Sequence, residues 1–281
     1  MNSPSVLTFE GVSYRYPDGS RGLEGCSLSL RQGSRTVVLG PNGAGKTTFF
    51  LHCNGLIRPS AGRVLMGGVP LDYGRAALCQ LRSRVGLVFQ NPDAQLFSAS
   101  VREDVSFGPV NLGLDRSTVK ARVEEALEAV GMAAFADKPV HNLSYGQKKR
   151  VCIAGVLAMR PSVMILDEPT AGLDVRMQQD LLAVLERLHA EGMTIVMATH
   201  DMDLAYAWAE EVCILDQGAL ATQCPVEAFP DQAELLERLG FGIPHVARLH
   251  RQLAARGVLM GSDVPRDFEG LSRLLEEMSA F

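Results

Sequence analysis

Long apolar runs are missing from this 281-residue chain. None of its apolar stretches approaches the roughly 20 residues a membrane-crossing helix needs. No membrane-spanning helix is therefore expected. The opening residues, MNSPSVLTFE, lack the charged-then-apolar order of a secretion signal. Close cysteine pairs are absent too. Cys26, Cys53, Cys79, Cys152, Cys213 and Cys224 are scattered, which excludes a zinc-ribbon or CxxC redox motif. They read as small core hydrophobes in a reducing compartment. The histidines are dispersed, and the separation of His245 and His250 does not put both on one helix face. Positive charge is not in excess. A formal net charge of -5 argues against a chain built to coat nucleic acid. No repeat or low-complexity segment interrupts the chain, and 47% hydrophobic residues provide for a sizeable core.

What is present begins with GPNGAGKTT, from Gly40 through Pro41, Asn42, Gly43, Ala44, Gly45, Lys46 and Thr47 to Thr48. This run fits the phosphate-loop pattern of Gly, four free positions and Gly-Lys-Thr. It follows an apolar stretch at 36–39 and precedes a helical pattern at 47–56. A strand feeding a glycine turn into a helix start converges backbone N–H groups on an anion. Lys46 is then placed for the β- and γ-phosphates, and the Thr47 hydroxyl for Mg²⁺. ATP and Mg²⁺ are the expected ligands.

Around that loop, short alternating runs at 7–14 and 26–30 predict an antiparallel β subdomain, split by the turn Pro17-Asp18-Gly19. Further strands are expected at 63–66, 84–89, 163–166, 194–198 and, last, 212–215. A helix is expected at 178–188. The stretch from Val101 to about Arg160 reads as helical, broken at Gly108-Pro109 and Gly113, with Leu127, Val130 and Met132 in its apolar stripe. The predicted fold is α/β. It has a phosphate-loop NTPase core of the RecA-like kind, an N-terminal antiparallel β subdomain, an inserted helical subdomain at about 93–160 and a small C-terminal helical appendage. An ATPase domain over 1–224 and an extension over 225–281 follow from that pattern. In the extension, Leu235, Leu236, Leu239, Val246, Leu249, Leu253, Leu271, Leu274, Leu275 and Met278 keep helical spacing. They would serve either packing on the main domain or dimerisation.

Two further motifs carry chemistry. Val163-Met164-Ile165-Leu166 ends in Asp167-Glu168, a buried strand delivering two carboxylates to its C-terminal edge. Asp167 suits Mg²⁺, and Glu168 suits polarisation of an attacking water. Leu143-Ser144-Tyr145-Gly146-Gln147 opens an apolar helix with Ser144 as its N-cap.

With these parts in this order, residues of roughly 5–225 resemble the ATP-binding cassette of the ABC transporter family, whose signature in this place is LSGGQ. The resemblance implies further roles. Tyr16 would stack on adenine, and Gln90 would touch Mg²⁺ and sense the γ-phosphate. Ala171-Gly172-Leu173-Asp174 would form the D-loop, with Asp174 near nucleotide, and His200 would be the switch histidine. Ser144, Gly146 and Gln147 would close on nucleotide held by a second cassette, either another copy or a related ATPase. Tyr145 departs from the family's first glycine. With its side chain turned away from nucleotide, only packing changes; otherwise closure weakens.

A narrower resemblance covers 90–114, QNPDAQLFSASVREDVSFGPVNLGL, together with LSYGQKKR and Phe241-Gly242-Ile243-Pro244-His245. These segments resemble the ATPase subunits of energy-coupling factor importers, nearest to those for cobalt or nickel. That resemblance implies a transmembrane coupling protein seated on Gln90–Phe97, a substrate-binding membrane subunit, and a peripheral position on the cytoplasmic face of the cell membrane. Nucleic acid is not an expected partner. The alternatives are an importer ATPase for another micronutrient such as a vitamin, a soluble cassette of DNA repair or translation, and a regulatory cassette without turnover. Glu168 and His200 count against the last.

Overall fold

The computed structural model describes residues 4–259 and 264–279. The first layer is antiparallel: β1 (Ser5–Arg15), β2 (Arg21–Arg31), β4 (Ala61–Met66) and β5 (Val69–Pro70) pair in the order β2-β1-β4-β5. The second sheet takes β3 (Arg35–Leu39), β6 (Val85–Val88), β7 (Val163–Asp167), β8 (Thr194–Ala198), β9 (Glu211–Asp216) and β10 (Ala219–Pro225) in the order β10-β9-β3-β8-β7-β6. Neighbours from β9 through β6 run parallel, and β10 is antiparallel to β9. Its helices are α1 (Lys46–Cys53) directly after β3, α2 (Arg75–Arg84) before β6, α6 (Val175–Ala190) between β7 and β8, and α7 (Met202–Trp208) before β9.

The central strands are apolar throughout because both faces are covered. Their residues alternate strictly between two core layers. Val37 and Leu39 of β3, Met164 and Leu166 of β7, and Ile195 and Met197 of β8 enter one layer with the helical middle. Val38, Val163, Ile165, Val196 and Ala198 enter the other with Phe9, Phe49 and Phe50. The period of two thus fixes which face meets which subdomain.

The helical middle consists of α3 (Val101–Asn111), α4 (Arg116–Ala129) and α5 (Tyr145–Leu157). The expected break at Gly108-Pro109 does not occur, because α3 runs through it. Pro109 has no N–H to donate to Val105 O, yet the helix continues to Asn111, and Gly108 serves proximity: a Cβ would lie 2.6 Å from Met159 Cγ. Gly113, at φ +75, does terminate the segment. Leu127, Val130 and Met132 are all buried.

Among the described residues, α2, α7, β5 and β10 escape the expectations. α2 buries only Leu81, so it carries almost no apolar stripe. β10 follows β9, which is therefore not the last strand. Among the cysteines, Cys79 on α2 is exposed, while the other five are buried as expected.

Beyond Pro225 come α8 (Ala233–Arg238), α9 (His245–Ala255) and α10 (Phe268–Ser279). Leu236, Val246 and Leu271 are buried in the main core, and Leu235, Leu239, Leu253, Leu274 and Leu275 pack partly against it. Leu249 stays exposed, and the side chain of Met278 lies outside the described residues.

Candidate nucleotide site

The glycine loop lies between β3, in the middle of the parallel sheet, and α1. Gly45 N-caps α1 at φ +101, a left-handed conformation no side chain favours, and no side chain occupies the helix start. A Cβ at Gly45 would sit 2.5 Å from the Gly22 carbonyl, and one at Gly40 would collide with the Leu215 carbonyl. The glycines thus let the loop press against β2 and β9, and although the Ala44 N–H donates to Pro41 O at 3.1 Å, the loop leads into a helix start that suits an anion. Lys46 is buried, and its Nζ donates to the carbonyls of Gly40 at 2.6 Å and Pro41 at 3.2 Å. Burial pushes its pKa down, against the pull of Glu168 and Asp167.

Three neighbouring strand ends complete the centre. β7 lies between β6 and β8, and Glu168 follows it directly. Gln90, two residues past β6, donates its Nε2–H to Glu168 Oε2 at 2.9 Å. His200, two residues past β8, lies with Nδ1 3.0 Å from Glu168 Oε1. The carboxylate is held from both flanks, on a backbone at φ +48 that is rare for a residue with a Cβ. The Glu168 N–H donates to Ala198 O at 3.1 Å, which ties this turn to β8. Beside it, the Thr47 hydroxyl donates to Asp167 Oδ2 at 2.8 Å. Burial raises the Asp167 pKa, and the Thr47 hydrogen bond opposes the rise.

These groups line a cleft of about 630 Å³, bounded by Tyr16, Gly40 through Thr48, Gln90, Asp167, Glu168 and His200. A buried carboxylate beside a hydroxyl is a hard-oxygen pair suited to Mg²⁺. Among the described residues no group of three or more His, Cys, Asp or Glu could hold a metal alone. That sparse donor set fits an Mg²⁺ that takes its remaining oxygens from phosphate and water. Tyr16 lies at the cleft with its hydroxyl 2.9 Å from Thr48 Oγ1, so the Thr48 side chain faces Tyr16.

Ser144, Gly146, Gln147 and Asp174 do not line the cleft of their own chain. Ser144 caps α5 in a reciprocal box: its Oγ accepts from the Gln147 N–H at 3.3 Å, while Gln147 Oε1 accepts from the Ser144 N–H at 3.0 Å. Gly146 is buried where a Cβ would lie 2.8 Å from Met177 Sδ. Asp174 caps α6 by accepting from the Met177 N–H at 2.8 Å. Tyr145 turns onto its own chain. Its ring lies against Gly172, and its hydroxyl donates to Gln90 O at 3.3 Å.

Three features were not foreseen from the sequence. Arg21 and Phe241 also line the cleft. Neither belongs to a phosphate-binding motif, and only the fold brings them there. Lys149, one helical turn past Tyr145, is buried with its ammonium donating to the carbonyls of Glu168, Pro169 and Ala171 at 2.8–2.9 Å. A lysine among the apolar positions of a helix is the signal that could have found it.

The ABC transporter family profile matches residues 23–171. The energy-coupling factor transporter ATP-binding protein EcfA of Methanocaldococcus jannaschii is 49% identical over 245 residues, 87% of this chain and 88% of that protein. The cobalt import ATP-binding protein CbiO of Rhodobacter capsulatus is 49% identical over 233 residues, 83% of each chain. Among solved structures, cbiO1 from Clostridium perfringens, described as part of the ABC transporter complex cbiONQ, is 40% identical with a TM-score of 0.75. That likeness covers 90% of this chain and 100% of the other. The chain belongs to the ABC transporter ATP-binding family, as an ATPase of the energy-coupling factor type whose ATP hydrolysis is coupled to transport.

Proposed function

We propose that this chain is the ATP-hydrolysing motor of a cobalt importer, working as a nucleotide-dependent dimer of two copies under a membrane coupling protein. The observation that carries the motor reading is Glu168, held between Gln90 and His200 at the mouth of the phosphate loop. Support for cobalt is the 49% identity to a cobalt import ATPase. Nickel is the nearest rival cargo. The metal is cargo and meets other subunits, so nothing in this cleft selects it.

In this reading Lys46 and the loop N–H groups hold the β- and γ-phosphates, and Tyr16 stacks on adenine. Thr47, Asp167 and Gln90 hold Mg²⁺, which neutralises phosphate charge when bound. Glu168 accepts a proton from the attacking water, while His200 and Gln90 fix the carboxylate and contact the γ-phosphate. Ser144 and Gly146 act on nucleotide bound by the second copy, and Gln147 and Asp174 support that edge. Ser144 can accept the Gln147 N–H and still donate its own hydrogen to phosphate. We assign residues 1–224 to the ATPase domain and 225–281 to an extension.

The coupling surface is the apolar cleft of about 570 Å³ beside the Gln90 segment, lined in part by Leu56, Phe89, Phe97, Phe107 and Met159. Phe97 and Phe107 are 65% and 51% exposed with ring centroids 4.8 Å apart, an aromatic pair left open to solvent. Asp104 shapes the segment by accepting from the N–H groups of Phe97 and Ser98 at 2.9 Å each. A membrane partner seated here would meet Phe89 and Gln95, on the segment that carries Gln90.

Mild-detergent capture of the full chain from its native membranes, with mass spectrometry, tests the assembly. A small coupling membrane protein and a substrate-binding membrane subunit are expected. Radiolabelled cobalt and nickel uptake, compared between wild type and Glu168→Gln cells, then tests the cargo. Cobalt uptake indifferent to Glu168→Gln would sink the cobalt assignment.

A further inference from the structure

α7 begins two residues after His200, so the groups that fix this helix also set how His200 meets Glu168. The C-terminal segment grips α7 at both ends. At the first turn, Asp203 Oδ1 accepts from the His245 backbone N–H at 2.6 Å, and Oδ2 lies 2.5 Å from His245 Nδ1. At the last turn, Arg266 Nε donates to Tyr206 O at 3.1 Å, and its guanidinium also donates to Ala209 O. The Tyr206 hydroxyl donates to Val264 O at 3.4 Å. Tyr206 and Trp208 share one buried apolar layer with Val246, Ala247 and Leu271 of the extension.

The same segment places one side chain in the cleft. Phe241 is, among the described residues, the only one past Pro225 that lines it. Its N–H donates to Leu236 O at 2.8 Å, just after Gly240 turns the chain at φ +79. Leu236 itself is fully buried, so Phe241 is anchored at its base. Beside the loop, the two carboxylates, Lys46, Arg21, Gln90 and His200, the Phe241 ring joins Tyr16 in giving the cleft an apolar wall where charge is held. Such a wall keeps bulk water out and strengthens the electrostatic contacts within.

We propose that the C-terminal extension is a working part of the ATPase centre: Phe241 contacts bound nucleotide, and Asp203, His245 and Arg266 are positioning residues for His200. This rests on the reading of the cleft as the ATP site.

The test uses the purified full-length chain, with steady-state ATPase kinetics and titration with a fluorescent trinitrophenyl-ATP. Asp203→Asn should lower kcat about tenfold while analogue affinity stays within about twofold, because the clamp orients His200 without touching nucleotide. Phe241→Leu, which keeps an apolar anchor of similar size, should weaken analogue binding about fivefold, and Phe241→Tyr should restore it to within about twofold. Leu249→Ala, on the exposed face of α9, is the control for general loosening of the extension and should match wild type. Asp203→Asn and Phe241→Leu both indistinguishable from wild type would overturn the inference, as would an equal loss in Leu249→Ala. A wild-type chain that neither binds the analogue nor hydrolyses ATP more than Glu168→Gln would instead bring down the ATP-site reading beneath it.

Discussion

The Lys149 ammonium donates to the carbonyl oxygen of Glu168 at 2.9 Å, so the helix that follows the signature holds the backbone of the acid that faces the cleft. Carbonyls of Pro169 and Ala171 complete its shell. Three acceptors satisfy the three ammonium hydrogens and steady the left-handed turn at Glu168. Burial nonetheless pushes the Lys149 pKa down to about 8, against the attraction of Glu168. Free lysine titrates near 10.5. The cost of burying the charge is therefore fully present below pH 8 and is relieved between pH 8 and 10.5, where the unfolded chain binds more protons. Stability should rise across that window by up to about 3 kcal/mol from this group. Urea denaturation of wild type and Lys149→Gln at pH 7.5 and 9.5 reads the difference. Parallel pH dependences in the two would refute it.

Glu168→Gln keeps the length and the two flanking partners but removes the charge that accepts the water proton. Phosphate release should fall by about 10²–10⁴. Light scattering with ATP and Mg²⁺ should then find a stable dimer, since closure outlasts a reaction that no longer occurs. A variant that still turns over at the wild-type rate would remove Glu168 from its assigned role.

Phe97→Ser with Phe107→Ser should leave the ATPase rate of the isolated chain within about twofold, because neither side chain lines the nucleotide cleft and both are half or more exposed. Recovery of the membrane partners from detergent extracts should drop sharply. Undiminished recovery would move the coupling surface elsewhere.

Leu236→Ala removes a side chain with no solvent exposure from the core shared with the sheet. A loss of about 2–5 kcal/mol in chemical denaturation is expected, in one transition with the rest of the chain. A separate early transition would mean that the extension unfolds on its own and contributes nothing to the main core.

Much of the centre was legible because each element bearing it has a local cause. Gly43 and Gly45 mark a loop at φ +80 and +101, and the apolar run ending in Asp167 marks a buried strand end. Gly108-Pro109 misled because glycine also answers to crowding: Met159, distant in sequence, leaves no room for a Cβ. α2 stayed hidden for lack of a stripe, since it buries little beyond Leu81. Phe241 and Arg21 could not be read as cleft residues from neighbours in sequence. Their positions depend on how the extension and β2 fold back on the loop.

The order β8-β7-β6 sets Glu168 between its two partners at strand spacing, about 4.8 Å from line to line. The sheet therefore acts as a ruler, and what it measures is reach. An aspartate at 168 would carry the same charge one methylene short, out of touch with His200 and Gln90 together. At this position chain length matters as much as acidity, and the tolerance is set by a backbone ladder that no single side chain can adjust.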